Sequence, residues 1–294
     1  MASPPDDDSG VPLVYETVVA SSLQVSIVTF RPDWQLLERC LRKLALAVGA
    51  ARESGVVRTV NVALIDNSAN RGIAAKVIEL GKTRFADSGV QMTYLHGHAN
   101  IGYGAAHNLV LHGSGADYHL VLNPDVELAS DALLNAVRWM NAHPEVGAIA
   151  PLVRRRDGSR DYLVKRKPAV FDLALRGFAP GFLRRAFDAR LARYEMRDLP
   201  LDRPTVGEFI VSGSFMLFRR DPVAALGGFC ERFFLYFEDF DLSLRLARAG
   251  KIAFVPRVRI VHYGGDAARK GLRHVAMFAS SGLKFFNAHG WKWA

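Results

Sequence analysis

Short apolar, β-branched runs alternate with amphipathic helical stretches through the first half of this 294-residue chain, and most of the runs end on polar residues. Val25–Thr29 is one such run, followed by Val60–Ile65, Met92–Leu95 and His119–Leu122. Between them the 3.6-residue spacing of Leu37, Leu41, Leu44 and Val48 predicts a helix, opened by Pro32 and Asp33 and ended at Gly49. Further helices are expected near Ile73–Leu80, at Ala105–Leu111 and at Asp131–Asn141. This alternation implies βαβ units and a mainly parallel sheet. In such sheets ligands bind beyond the carboxyl ends of the strands. The polar groups there are Arg31, Asp66 with Asn67, and Asp125.

The pattern breaks at residues 154–203, where 14 Lys and Arg face 7 Asp and Glu, so that most of the net charge of +9 lies in one stretch. Arg154–Lys167 has little periodicity, and 169–196 intersperses Phe171, Leu175, Phe178, Phe182, Phe187 and Leu191 with arginines. A basic amphipathic helix pair is expected, lying on a membrane or against the core. Core-like sequence resumes at Glu208–Phe218, and Ser280–Trp293 reads as a helix with a short tail. Residues 1–20, beginning MASPPDDDSG, read as a disordered tail. The two cysteines, Cys40 and Cys230, form no CxxC pair and read as inert thiols of a reducing compartment. No secretory signal and no apolar run of spanning length is apparent.

Four motifs carry chemistry. Asn123-Pro124-Asp125 ends an apolar strand on a carboxylate that suits a divalent cation, although the same residues also make an ordinary turn. Asn100-Ile101-Gly102-Tyr103-Gly104, with Asn108 beyond, offers close backbone approach to a phosphate, or a plain glycine turn. Glu238-Asp239-Phe240-Asp241 sets three carboxylates in four positions among aromatic residues; this is either a site or a helix N-terminus enriched in acid. On a helix, Asp239 and Asp241 point in different directions, and an apolar wall raises a carboxyl pKa toward general-base work. His262, in Ile260-Val261-His262-Tyr263-Gly264-Gly265, becomes a metal or phosphate ligand only if it faces Asp125.

Taken in order, VSIVTF, LIDNSAN, NIGYGAAHN, LVLNPDVEL, VSGSFMLFRRD, GGFCERFFLYFEDFDLSLRLARAGKIAFVP and IVHYGG resemble family 2 glycosyltransferases of the GT-A fold, in their bacterial rhamnosyltransferase-like branch. The resemblance covers about residues 24–153 and 206–290. It implies an α/β, Rossmann-like GT-A domain over 21–294, with a mainly parallel sheet flanked by helices. The nucleotide-sugar half would be 21–153, the basic helical insertion 154–203 and the acceptor and catalytic half 204–294. It places Thr29, Arg31 and Asp66 by the nucleoside and Gly102 and Asn108 by the sugar diphosphate, with Asn67 and Asn123 also among the substrate-binding residues. Asp125 takes the metal position of the DxD motif, with His262 beside it, for Mg2+ or Mn2+. Asp239 matches the catalytic base, flanked by Glu238 and Asp241 at the substrate. The implied activity is inverting sugar transfer, of L-rhamnose from dTDP-rhamnose or of a sugar from a UDP donor, onto a lipid-linked or polysaccharide acceptor in cell-surface glycan synthesis.

The insertion, absent from the shared pattern, then implies peripheral contact with an anionic membrane at its cytoplasmic face. A nucleic-acid-binding protein is the rival reading of the same charge, but no nucleic-acid module is recognisable, so no nucleic-acid partner is expected. A nucleotidyltransferase would need a glycine-rich loop after the first strand, where Thr29-Phe30-Arg31-Pro32 stands.

Overall fold

The computed structural model describes residues 20–86, 88–264 and 271–294. Residues 1–19, which hold nearly all of the expected disordered tail, lie outside it. The first half follows the alternating pattern: β1 (Ser21–Thr29), α1 (Trp34–Glu53), β2 (Val57–Asp66), α2 (Arg71–Phe85), β3 (Gln91–Leu95), α3 (Tyr103–Leu111), β4 (Tyr118–Leu122), β5 (Val126–Leu128), α4 (Ala132–Ala142) and β6 (Val146–Arg154). Asp33 starts α1 as expected, its Oδ1 accepting from the amides of Gln35 (2.9 Å) and Leu36 (3.1 Å). The helix runs past Gly49 to Glu53, because burial of Val48 and Ala51 outweighs the helix cost of one glycine.

The insertion opens with two short strands, β7 (Arg160–Asp161) and β8 (Val164–Lys165), where no regular element is expected. β7 folds back on β6, and β8 pairs with β10 (Ile210–Val211). The expected helix pair is three short helices, α5 (Val170–Phe178), α6 (Gly181–Ala186) and α7 (Asp188–Tyr194), because Pro180 and Phe187 interrupt the run. The chain then returns through β9 (Thr205–Gly207), β11 (Phe215–Arg219), α8 (Arg220–Ala225), α9 (Glu238–Ala249) and β12 (Lys251–His262). The last helix, α10 (Leu272–His289), begins eight residues before the expected Ser280.

One sheet has the order β3-β2-β1-β4-β11-β6-β12-β5, with β7 and β9 at its margins. The long pairings, β2 with β1 and β3, β1 with β4, and β6 with β12, are parallel. β11 enters antiparallel between β4 and β6 and joins the two parallel parts. Alternate residues of each strand face opposite layers. Leu23, Val25 and Ile27 of β1 pack with α1 and α4, whereas Val121, Met216 and Phe218 pack with α8 and α9 on the other face.

In the sheet centre Ser26 Oγ lies 2.6 Å from His107 Nδ1 and 2.7 Å from His119 Nε2, all three buried. A hydroxyl carries one proton, so one imidazole accepts from Ser26 and the other donates to it. Burial keeps both rings neutral and pushes His119 down to about 3. Among the described residues no helix is long and apolar enough to cross a membrane.

Candidate active site

The parallel register sets Thr29, the last residue of β1, beside Asp66, the last of β2. Asp66 Oδ1 accepts from Thr29 Oγ1 (3.1 Å) and the Ser68 amide (3.2 Å), while its buried Oδ2 has no hydrogen-bond partner among the described residues. A buried carboxylate oxygen left open at a strand end is an acceptor waiting for an N–H donor. Arg31 turns the chain at φ 48°, its amide donating to Ser68 Oγ (2.8 Å), so its side chain leaves the sheet at the same edge.

Asn67 and Gly102 build the neighbouring loop and have partners within the protein. Asn67 Nδ2 donates to the Gly102 carbonyl (2.9 Å), and its Oδ1 lies 2.9 Å from His98 Nε2. Gly102 has φ 95°, and a Cβ there would stand 2.5 Å from the Phe234 carbonyl oxygen. That oxygen accepts the first amide of α3, from Tyr103 (3.0 Å), so the helix end expected to meet phosphate is capped by the chain itself. Asn108, expected by the sugar diphosphate, also has partners within the protein. It is buried and clamps the loop after α8, donating to the Phe229 carbonyl (2.9 Å) and accepting from its amide (2.9 Å).

Asp125 and His262 do face each other. Antiparallel pairing of β5 with β12 sets His262 across from Val126, one residue from Asp125, and the Tyr263 amide donates to the Asp125 carbonyl (3.0 Å). His262 Nε2 is 3.7 Å from Asp125 Oδ1, which is buried and without a hydrogen bond. On its other side His262 Nδ1 lies 3.4 Å from Asp161 Oδ2. Burial pushes the Asp161 carboxyl up, but His262, Arg155 and Lys165 outweigh it and hold it below its ordinary value. A Cβ at Gly264 would lie 2.6 Å from His262 Nε2 and 2.8 Å from Asp125 Oδ2, so this glycine leaves open the space between the two donors. A carboxylate without a partner and an imidazole nitrogen fit a divalent cation that takes its other ligands from phosphate oxygens. No group of three or more His, Cys, Asp or Glu able to hold a metal occurs among the described residues.

The acidic cluster opens α9, and the turn before it is strained. Tyr236 and Phe237 both have left-handed backbones, φ 69° and 66°, rare for bulky residues. Phe237 is held by Phe233, Phe240, Phe278 and Phe285, which over-determines the turn and aims the first turn of α9. Asp239 Oδ2 accepts from the Gly213 amide and Oδ1 from the Phe240 amide, each at 2.9 Å. Burial raises the Asp239 carboxyl above its ordinary range, against the pull of those amides and of the Lys165 ammonium. Glu238 is more strongly affected: burial and the neighbouring Asp239 push it well above its ordinary value, and its Oε2 has no partner among the described residues. The two carboxyls titrate as a unit, both raised and Glu238 the further. The Tyr103 hydroxyl, within reach of Asn123 Oδ1 (2.7 Å) and the Gly213 carbonyl (2.8 Å), ties the Asp125 turn to the Asp239 loop.

Asp241 does point away from Asp239, as helix geometry requires. One of its oxygens meets His289 Nε2 (2.8 Å) and joins α9 to α10, and the other pairs with the Arg245 guanidinium (2.7 Å) one turn along α9. Tyr103, Asp161, Lys165 and Gly264 belong to the site and do not stand out in the sequence. Asp161 and Lys165 sit within the basic insertion, where surrounding arginines mask them, and only the β6–β7 and β8–β10 pairings bring them inward.

The fold is that of solved GT-A glycosyltransferases. A mannosyltransferase from Pyrobaculum calidifontis, in complex with GDP-Man and Mn2+, aligns with 90% of this chain at a TM-score of 0.58 and 18% identity. GalNAc-T7 with UDP, GalNAc and Mn2+ aligns with 85% at 0.58 and 16% identity. The chain covers 65% and 45% of those two proteins, under two thirds of each. In sequence, the glycosyl transferase family 2 model matches residues 25–227. The N-acetylglucosaminyl-diphospho-decaprenol L-rhamnosyltransferase of Mycobacterium tuberculosis is 34% identical over 82% of this chain and 76% of its own length. The rhamnosyltransferase WbbL of Escherichia coli K12 is 30% identical over 50% of this chain and 52% of its own length. The chain belongs to glycosyltransferase family 2, among its rhamnosyltransferase-like members, and is a glycosyltransferase.

Proposed function

We propose that the chain transfers L-rhamnose from a nucleoside-diphosphate donor, dTDP-rhamnose, to a hydroxyl of a lipid-linked saccharide in cell-surface glycan synthesis. The observation that carries the mechanism is the buried acidic pair Glu238–Asp239, with Asp239 held by the Gly213 amide and linked through Tyr103 and Asn123 to the turn bearing Asp125. The lipid-linked acceptor and the sugar rest on likeness to the mycobacterial relative, whose name states both.

Thr29 and Ser68 hold Asp66 so that its open oxygen accepts a base N–H, and Arg31 stands by the nucleotide. Asp239 takes the proton of the acceptor hydroxyl as that oxygen attacks the anomeric carbon. The bond from this carbon to the diphosphate oxygen breaks, and the electron pair leaves with the nucleoside diphosphate. A single displacement inverts the anomeric configuration, which NMR of the product reads directly. Asp125 and His262 would hold Mg2+ or Mn2+, which when bound neutralises charge on the leaving diphosphate.

The test is thermal unfolding with dTDP, UDP, GDP or ADP, each with and without Mn2+. A nucleotide at about 100 times its Kd stabilises the fold by about 2.7 kcal/mol. The expected result is a manganese-dependent rise with dTDP, lost in Asp125→Ala. A rise with UDP alone assigns a UDP-sugar donor, and no rise with any nucleotide overturns the reading.

The insertion is the proposed contact with an anionic membrane, which would place the enzyme at the inner face of the cell membrane. Support comes from α6, where no residue is buried and Phe182 is 71% exposed next to Arg184 and Arg185. The C-terminal tail adjoins the insertion: the Phe171 amide donates to the carbonyl of Trp293, a residue that is 65% exposed. Surface arginines near anionic lipid contribute about 1 kcal/mol each. Binding to phosphatidylglycerol vesicles is therefore expected to weaken by about tenfold or more in the triple variant Phe182→Ser, Arg184→Glu, Arg185→Glu. Unchanged co-sedimentation with the vesicles would remove α6 from the contact.

A further inference from the structure

The insertion also sends one side chain into the core of the site. Lys165, on β8, lies opposite Ile210 of β10, and β10 is fastened to α9 at the position of the base. Ser243 Oγ receives the Val211 amide (3.0 Å) and itself donates to the Asp239 carbonyl (2.7 Å). Lys165 is 6% exposed, and its Nζ stands 5.6 Å from the centroid of the Phe240 ring, the residue following Asp239. It has neither a hydrogen bond nor a carboxylate within 4.0 Å among the described residues. An enclosed ammonium without a paired anion is costly to fold and is found where a charge serves a site.

The groups around it come from every side. Asp239 on α9, Asp161 on β7 and Glu195 after α7 favour its charged form; Arg176 on α5 opposes it. Asp239 in turn faces Lys165, Glu238 on its own helix, Tyr103 on α3, and the amides of Gly213 and Phe240. Lys165 is thus a buried cation on a strand fastened to the helix that carries the base.

We propose that Lys165 is a positioning residue: its ammonium, buried against the helix that carries Asp239, favours the carboxylate form of that residue and so sets the strength of the base. Its role in catalysis rests on Asp239 being that base, but the charge coupling itself does not. Burial and Arg176 bring the Lys165 ammonium down to about 7, so it is charged below neutrality and its support for the Asp239 carboxylate weakens as the pH rises through that value.

The experiment uses the full chain without substrate, labelled with 13C at the aspartate carboxyls, with the Asp239 signal assigned by its loss in Asp239→Asn. An opposite charge close to a carboxyl lowers its pKa by one unit or more, typically about 1–3. The Asp239 midpoint is therefore expected to rise by about one pH unit in Lys165→Met and to return toward wild type in Lys165→Arg. A midpoint unmoved in Lys165→Met, or moved as far in Lys165→Arg, overturns the proposal. Where Lys165→Met does not fold, the coupling is read from the other partner. The 15Nζ signal of Lys165 is expected to titrate at lower pH in Asp239→Asn than in wild type, and an unchanged midpoint overturns the proposal equally. Because both titrations are read without donor or acceptor, their failure leaves the nucleotide-binding test untouched, and the reverse holds too.

Discussion

Asp239→Asn is expected to lower kcat by about 10³-fold, the middle of the range for loss of a general base. The variant keeps the shape of the side chain but has one oxygen where Asp239 uses two, for the Gly213 and Phe240 amides; the Asp66 and Asp125 ends of the site are untouched, so nucleotide binding and its manganese dependence should survive. Stability at low pH should fall by about 1–3 kcal/mol, the cost of one amide left without an acceptor. A carboxyl whose folded pKa is raised binds its proton more tightly in the folded state than in the unfolded one. Its ionisation therefore costs stability as the pH rises from the ordinary aspartate value through the folded one. Asparagine has no such cost, so the stability of the variant relative to wild type should increase across that interval and then level off. In wild type, kcat/KM should rise with pH through the same apparent pKa, which belongs to the Glu238–Asp239 pair as a unit. The measurements are steady-state release of nucleoside diphosphate and urea unfolding at several pH values. A variant that retains transfer within tenfold of wild type would move the base elsewhere, with Glu238 examined next.

Two residues along the same helix the opposite outcome is expected. Asp241→Ala takes the acceptor from the buried His289 Nε2 and the carboxylate from Arg245, which keeps the Leu226 and Gly228 carbonyls, so the cost should lie near the low end of the about 3–5 kcal/mol for losing one partner of a buried ion pair. The loss should appear as a lower urea midpoint with an unchanged slope. It should be accompanied by loosening of α10, whose end at His289 is anchored on Asp241. The variant that remains folded at low temperature should still transfer sugar, because both Asp241 oxygens are committed to the protein and none faces the donor. Urea unfolding close to wild type, with a specific loss of substrate affinity, would return Asp241 to the substrate site. The two variants together separate a carboxylate that serves the reaction from one that serves the fold.

Much of this was legible in the sequence because it follows from local spacing. The apolar runs at Val25–Thr29, Val60–Ile65 and His119–Leu122 are core strands, and Met92–Leu95 is the half-buried strand at the sheet edge. The polar residues ending β1, β2 and β4 lie at the carboxyl ends of neighbouring parallel strands, as the alternation of strands and helices requires. The facing of Asp125 and His262 was stated only as a condition; antiparallel β5–β12 pairing over a separation of more than 130 residues meets it.

Three of the expected site positions share one feature: each has the composition of a ligand-binding group and a partner from a distant segment. Asn108 is taken by the Phe229 backbone, the α3 end at Gly102 by the Phe234 carbonyl, and Asp241 by Arg245 and His289. Lys165 fails in the other direction, as one lysine in a basic stretch that a two-residue strand turns inward. The sequence by itself determined the strand–helix alternation, the family and the residue types available at the strand ends, because these depend on neighbours a few positions apart. Only the tertiary structure decided which of those polar groups remain open. A side chain is free for a ligand only when no other segment has satisfied its hydrogen bonds or its charge, and that depends on which distant residues pack against it.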